Sequence, residues 1–335
     1  MRPSIIIRVD GGQRVGLGHV VRMRALAEML AKDFDCEFIL GHSDPAVITL
    51  LSGDYRVHQL ATGDGDVETI LELARRKGAA VVVLDGYNFG CEMQRSLRQA
   101  GLRVVVIDDV AAAPIEADLV INHCSRLVAL HYQVAPDVRL LCGPKYALLR
   151  APFLAAARDA VRTSASEGTV LVCMGGTDSL GVTPRVLESL TATPWVKRVT
   201  VVLGPLAGIN FHHGRQGHCE VEFCRDLDAS GMVRAFQRSQ LAVVTASSIA
   251  IEACAVGCGL LVGLVADNQR WVHEEVTTTG CAVSVGDWRT ATPEAIARAT
   301  RVAAHDAATM VAAQRLLLDG QSPERICDAF RSLAA

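Results

Sequence analysis

No Cys-x-x-Cys pair occurs in the chain, although it holds 11 cysteines, and this argues against a zinc ribbon or a related structural metal site. The odd number and scattered spacing also argue against a disulfide framework and suit a reducing cytosol. Charge of one sign is missing too. The formal net charge is −3, which leaves no basic footprint for nucleic acid. The first residues, Met1-Arg2-Pro3-Ser4, carry neither the long apolar segment nor the small-residue cleavage site of a signal peptide. No low-complexity arm or charge block marks a protein partner. The nearest approach to a membrane span is 241–266, whose single charge is Glu252. Ser247, Ser248 and the glycines at 257, 259 and 263 divide it into strand, helix and strand, so it is expected to be core.

Half of the 335 residues are hydrophobic, enough for two domain cores. Apolar β-branched runs alternate with amphipathic segments through both halves. In the first half the expected strands are 5–9, 36–40, 56–60, 80–85, 103–108, 119–122 and 139–142. In the second they are 170–174, 199–203, 220–223, 241–245, 260–265 and 282–285. Unbroken Val/Ile/Leu strands between helices indicate parallel sheets covered on both faces. The expected fold is therefore α/β, with two Rossmann-like, doubly wound domains and a cleft between them. Domain bounds are set at 1–152 and 169–320, joined by an alanine-rich linker at 153–168. A last helix lies within 321–335, capped by Ser322 and able to pack back on the first domain.

Three clusters can carry chemistry. An apolar run ends at Asp10, a glycine-rich turn with Gly11, Gly12, Gly16 and Gly18 follows, and His19 stands where a helix begins. The glycines fit neither the dinucleotide fingerprint nor a Walker A loop. His19 reads either as a surface histidine or as a neutral imidazole able to accept a proton at the carboxyl end of a strand. In the second half, Gly175-Gly176-Thr177 closes one strand, and Ser247-Ser248 closes another and opens a helix. Backbone amides beside a helix N-terminus suit an anion, and Glu252, one turn on, suits ribose hydroxyls. Equally, the serines could be a helix cap and Glu252 a first-turn acid. Third, Asn268 and Gln269 follow an apolar strand, where amides can hold sugar hydroxyls or acetamido groups. Tyr87 stands in a similar position in the first half, as a substrate contact or an aromatic lid. Asp108 and Asp109 are adjacent acids without an evident third ligand, so no metal is assigned.

In chain order, "RVDGGQRVGLGHVVR", "VVLDGYNF", "VIDDVAAAPIEADLVIN", "LLCGPKYALLRAPF", "VCMGGTD", "TASSIAIEA" and "ADNQ" resemble the UDP-2,4-diacetamido-2,4,6-trideoxy-β-L-altropyranose hydrolases of pseudaminic acid biosynthesis, with the SpsG-like proteins of spore coat polysaccharide synthesis. That family is similar to glycosyltransferases of GT-B fold. The resemblance implies a GT-B arrangement and metal-independent, inverting hydrolysis at the anomeric carbon, without a cofactor. It implies His19 as catalytic base with Asp10 holding its loop. Gly18, Tyr87, Asn268 and Gln269 would contact substrate. Gly175, Gly176, Thr177, Ser247, Ser248 and Glu252 would bind UDP. Gly86 departs from the histidine frequent in that family, and Asn88-Phe89 are unusual as well. The expectation is thus a cytoplasmic UDP-sugar hydrolase that neither inserts in a membrane nor binds nucleic acid. Its rivals are a glycosyltransferase using the same site, a phosphate-bond cleaving enzyme, and a non-catalytic nucleotide-sugar-binding protein.

Overall fold

The computed structural model describes residues 2–334 except 13–16, 42–44, 61–64, 160–164, 177, 179 and 205–213. The chain divides into two compact units, Met1–Arg150 with Gln321–Ala335, and Ala151–Gly320.

The first unit holds a parallel sheet of β1 (Ser4–Val9), β2 (Asp35–Leu40), β3 (Arg56–Gln59), β4 (Val81–Asp85), β5 (Arg103–Ile107), β6 (Leu119–Asn122) and β7 (Arg139–Cys142). Their spatial order is β3-β2-β1-β4-β5-β6-β7, so the winding reverses between β1 and β4. Ile5, Ile6, Ile7, Val82, Val83, Val104 and Val105 are almost wholly buried, as expected of strands covered on both faces. The helices are α1 (Gly18–Leu30), α2 (Pro45–Ser52), α3 (Asp66–Lys77) and α4 (Cys91–Gln99). In α3, Asp66 and Glu68 open the helix and Arg75, Arg76 and Lys77 close it, each sign opposing the helix dipole. Gly78, at positive φ, then ends it.

The second unit opens with α5 (Ala151–Arg158). This corrects the expected linker at 153–168. The alanines favour a helix, Phe153 and Leu154 are buried in it, and the next strand already starts at Ser166. The second sheet consists of β8 (Ser166–Cys173), β9 (Arg198–Leu203), β10 (Gly214–Gln216), β11 (Cys219–Arg225), β12 (Ser239–Thr245), β13 (Gly259–Leu264) and β14 (Val283–Asp287). Its order is β10-β11-β9-β8-β12-β13-β14, with only the β10–β11 pair antiparallel among the described residues. Here the winding reverses between β8 and β12. Around it lie α6 (Val182–Thr191), α7 (Ala229–Arg238), α8 (Ser248–Val256), α9 (Arg270–Thr278), α10 (Pro293–His305) and α11 (Ala307–Leu317). The apolar stretch 241–266 is β12, α8 and β13. Among the described residues no helix is long and apolar enough to cross a membrane.

The final helix, α12 (Ser322–Ala334), belongs to the first unit and packs on α1. Ser322 was expected to cap it, but its hydroxyl donates to the Ala147 carbonyl at 2.7 Å. Phe330 is fully buried, with its ring 6.4 Å from that of Phe34. Phe330→Ala should therefore destabilise the first unit by about 3–5 kcal/mol. Phe330→Leu should cost clearly less. Urea unfolding of both variants measures the difference.

Candidate functional site

In open α/β sheets ligands collect beyond the carboxyl ends of the strands, where the winding reverses. In the first unit that point lies between β1 and β4, which run side by side with Val9 opposite Asp85. His19 is the second residue of α1, and Arg22, three residues later, shares its face. Asp85 ends β4 with no exposed surface. Its Oδ1 is 2.7 Å from Nδ1 of His19 and accepts from Nη2 of Arg22 at 2.6 Å, while Oδ2 accepts from Nε of Arg22 at 2.7 Å. Arg22 also donates from Nη1 to Asp109 at 2.9 Å, and the Tyr87 hydroxyl donates to the same carboxylate at 3.0 Å. The Tyr87 ring stands edge-on to that of His19, with centroids 5.2 Å apart.

A carboxylate only accepts hydrogen bonds, so the proton between His19 and Asp85 sits on Nδ1. Nη2 of Arg22 lies 2.9 Å from the same nitrogen. With Nδ1 protonated, that contact places two donors side by side and is not a hydrogen bond. Nε2 is then the acceptor of the neutral ring. Burial alone would push Asp85 up, but the adjacent Arg22 and His19 hold its carboxyl well below the usual range. Arg22 is in turn held protonated, against its burial, by Asp85 and Asp109.

A second histidine, His123, sits one residue beyond β6 and is 2% exposed. Among the described residues its buried Nδ1 has no hydrogen-bond partner. Burial, followed by the charge of Arg22, lowers it to about 4. It is therefore neutral over the physiological range.

His19 and Tyr87 are thus brought together in one cluster. Asp10 is not part of it. Its Oδ1 accepts from Arg8 at 2.6 Å and from the Gly41 amide at 2.8 Å, tying the end of β1 to the end of β2. The carboxylate that meets His19 is Asp85, because β4 is the neighbour of β1 across the reversal. Gly18 starts α1, and a Cβ there would meet nothing within 4 Å. Asp108 and Asp109 diverge. Asp108 accepts from the amides of Val110 and Ala111 and from the hydroxyl of Tyr132, whereas Asp109 faces Arg22 and Tyr87. Asp85, Arg22 and His123 were not singled out as site residues in the sequence, and Asp109 was weighed only with Asp108 as a metal ligand. The available signals were the charge closing the apolar run Val81–Leu84 and the three-residue step from His19 to Arg22.

In the second unit the corresponding reversal lies between β8 and β12. Gly175, at φ 83°, and Gly176 follow β8, and Thr177 lies outside the described residues. A Cβ on Gly175 would stand 3.9 Å from Oγ1 of Thr245 at the end of β12, so the two strand ends adjoin. A Cβ on Gly204, after β9, would come within 2.4 Å of the Gly176 carbonyl oxygen. Only glycine permits that backbone approach, and the sequence reading did not single Gly204 out. Asp178 accepts from the amides of Val182 and Thr183 and so occupies the start of α6. At α8 the reverse holds. Ser247 is the N-cap residue, but its side chain makes no cap hydrogen bond and pairs with Thr245 Oγ1 at 3.0 Å. Ser248 is exposed at the first helical position, and Glu252, buried in the second turn, is not the first-turn acid of the alternative reading. Asn268 is exposed in the turn after β13. Gln269 uses its side-chain carbonyl oxygen to accept from the Val265 amide at 3.0 Å, so that atom holds the turn rather than a substrate.

No family model matches the chain. It is 28% identical over 210 residues to an uncharacterized protein of Methanocaldococcus jannaschii, which covers 60% of this chain and 43% of that one. The chain thus spans less than half the length of that relative. It is 22% identical over 290 residues to the spore coat polysaccharide biosynthesis protein SpsG of Bacillus subtilis, covering 84% of this chain and 83% of SpsG. Among solved structures, MurG of Acinetobacter baumannii superposes with a TM-score of 0.69 at 13% identity, over 99% of this chain and all of MurG. The UDP complex of MnaA from S. aureus superposes with a TM-score of 0.65 at 11% identity, over 99% and 97% of the two chains. These likenesses establish the fold class, two α/β units of the GT-B kind.

His123 gives this cluster a pH signature. An unfolded histidine binds its proton near pH 6.5, whereas the buried one does so only near 4. Between those values the unfolded state holds more protons, so stability falls as pH falls, by about 3 kcal/mol in all. His123→Gln should remove this contribution. Unfolding free energies measured at pH 7 and pH 4 should therefore fall less in the variant than in the parent.

Proposed function

We propose that the chain is a cytoplasmic UDP-sugar hydrolase, releasing UDP and a free diacetamido-trideoxyhexose of the pseudaminic acid type. The observation that carries this reading is the His19–Asp85 pair: an imidazole held at Nδ1 by a buried carboxylate, so that Nε2 is the ring nitrogen left to take up a proton. Water would give a proton to Nε2 as its oxygen bonds to the anomeric carbon. The bond from that carbon to the diphosphate oxygen breaks, its electron pair leaves with UDP, and the configuration inverts. In this scheme Asp85 stabilises the imidazolium that forms, as the aspartate does in a Ser-His-Asp triad. Arg22 and Asp109 are positioning residues.

The second unit supports the nucleotide half of the reading. Gly175, Gly176, Ser247 and Ser248 stand at its winding reversal, and the Ser247 side chain leaves the start of α8 uncapped. Backbone amides at a helix start favour a diphosphate and its developing charge. Glu252 and Asn268 remain candidates for ribose and sugar contacts, and Thr177 for the diphosphate. The UDP complex of the S. aureus protein of the same fold and the polysaccharide assignment of SpsG agree with an activated sugar as ligand. Eleven free cysteines suit a reducing compartment.

A glycosyltransferase using the same UDP-sugar is the second reading, favoured by the fold shared with MurG. A panel of UDP-diacetamido-trideoxyhexoses, followed by NMR without added metal, separates the two. Hydrolysis gives UDP and inverted free sugar with water alone, whereas transfer stays slow until an acceptor is added. His19→Ala should keep UDP affinity and lower turnover by about 10²- to 10⁴-fold. Near-parental UDP release by that variant would remove His19 from the mechanism.

A further inference from the structure

In the first unit the buried arginines each hold two acids, Arg8 with Asp10 and Asp66, and Arg22 with Asp85 and Asp109. The second unit has an arginine of another kind. Arg185, the fourth residue of α6, is half-buried and pairs with no acid among the described residues. Its Nη2 donates to the main-chain carbonyl of Trp288. Its Nε is shut off from solvent and has no partner among the described residues.

Trp288 places that guanidinium at the carboxyl end of the second sheet. The indole is fully buried, and its Nε1 donates to the Val244 carbonyl at 3.2 Å, one residue before the end of β12. The Trp288 amide donates to the carbonyl of Leu264, the last residue of β13, at 2.9 Å. Gly263 makes room for the ring, since a Cβ there would come within 2.7 Å of Nε1. Arg185 is thus held against the ends of β12 and β13, and β12 leads directly into Ser247 and the start of α8.

A diphosphate at that end would otherwise meet little positive charge. The donors at the winding reversal are neutral amides and hydroxyls, and the start of α8 offers the equivalent of about half a charge. The ionisable side chains of these segments, Asp178 and Glu252, are both acids. Two other arginines stand near this end, but both are engaged. Arg289 meets both carboxylate oxygens of Asp287. Arg270 lies 4.0 Å from Glu274 and 4.4 Å from the Trp271 ring centroid. Arg185 alone of these three carries a half-buried charge that no acid among the described residues offsets, an arrangement that is costly until an anion arrives. A guanidinium suits that anion because its planar fork matches two phosphate oxygens.

We propose that Arg185 is a diphosphate-binding residue, offsetting the charge of UDP while the glycine loop and the start of α8 supply neutral donors. This rests on the UDP reading of the second unit. It adds a residue outside every stretch that carries the family resemblance.

The test uses the full chain with UDP, inorganic pyrophosphate and uridine, followed by calorimetry and by the ¹⁵Nε resonance of Arg185. Arg185→Gln should weaken UDP binding by about tenfold or more and leave uridine nearly unchanged. Arg185→Lys keeps the charge without the fork and should fall between the parent and the glutamine variant. In the parent, the resonance that either variant deletes should shift saturably with UDP and with pyrophosphate and stay still with uridine. That measurement stands even if only one variant folds. Equal losses for UDP and uridine would make Arg185 a staple between α6 and Trp288 and overturn the proposal. So would an unchanged UDP affinity, or a resonance that neither diphosphate moves in the tens of millimolar. The hydrolase reading fails on a different result, the absence of UDP release, and pyrophosphate reports on Arg185 whether or not a UDP-sugar is cleaved.

Discussion

The carboxylate of Asp85, with no exposed surface, constrains everything around it in the first unit. Taking such a charge out of water costs several kcal/mol, and removing its partner leaves that cost uncompensated. Arg22 meets both carboxylate oxygens and is itself buried, so it needs a second acid, which Asp109 supplies. Two acids on one guanidinium fix the rotation of α1 against β4 and β5. His19, on the same helix face, is carried into contact with Asp85 by that rotation. Its tautomer follows from the acceptor it meets. The imidazole geometry is thus a consequence of burying an ion pair, not an independent feature of the glycine-rich turn.

The two sheets repeat one device with different chemistry. Each reverses its winding beside its first strand, at β1 and β4 in one unit and at β8 and β12 in the other. The first reversal is lined by titratable groups, His19, Asp85 and Tyr87. The second is lined by glycines, serines and the start of α8, apart from the buried Glu252. Proton transfer needs groups that change charge, whereas a diphosphate needs donors that approach closely and stay neutral. The contrast between the two reversals is therefore what the proposed reaction requires of an enzyme that divides sugar chemistry from nucleotide binding.

Much of this was legible in the sequence where one local rule governs. Runs such as Ile5–Val9, Val81–Asp85 and Leu241–Thr245 are strands because buried parallel strands need apolar residues on both faces. Elements were missed where the local signal was weak. The helix at Pro45–Ser52 is short, Ala307–Leu317 follows α10 with only Asp306 between them, and Ala151–Arg158 looked like a linker because it is rich in alanine. The site divides in the same way. His19 and Tyr87 are chemically conspicuous beside strand ends. Asp10 and Asp85 each close an apolar run, and nothing local says which one the helix will face. That choice is made by strand order, a long-range property. Gln269 is ambiguous for another reason: an amide that suits a sugar also suits the bare backbone amide of Val265, which its carbonyl oxygen meets.

Asp10 still has a place in the proposed chemistry, through Arg8. This arginine is 3% exposed, pairs with Asp10 and Asp66, and covers the Phe89 ring. It joins the end of β1, the start of α3 and the segment that follows β4. The glycine-rich segment therefore leaves β1 from one ion-pair network and enters α1 at another. Arg8 and Asp10 hold the entry, and Arg22 and Asp85 hold the exit. A segment anchored at both ends can be rich in glycine without freeing the imidazole that follows it. On this argument Asp10 positions backbone and Asp85 positions His19. The two acids are not interchangeable, although they end neighbouring strands of the same sheet.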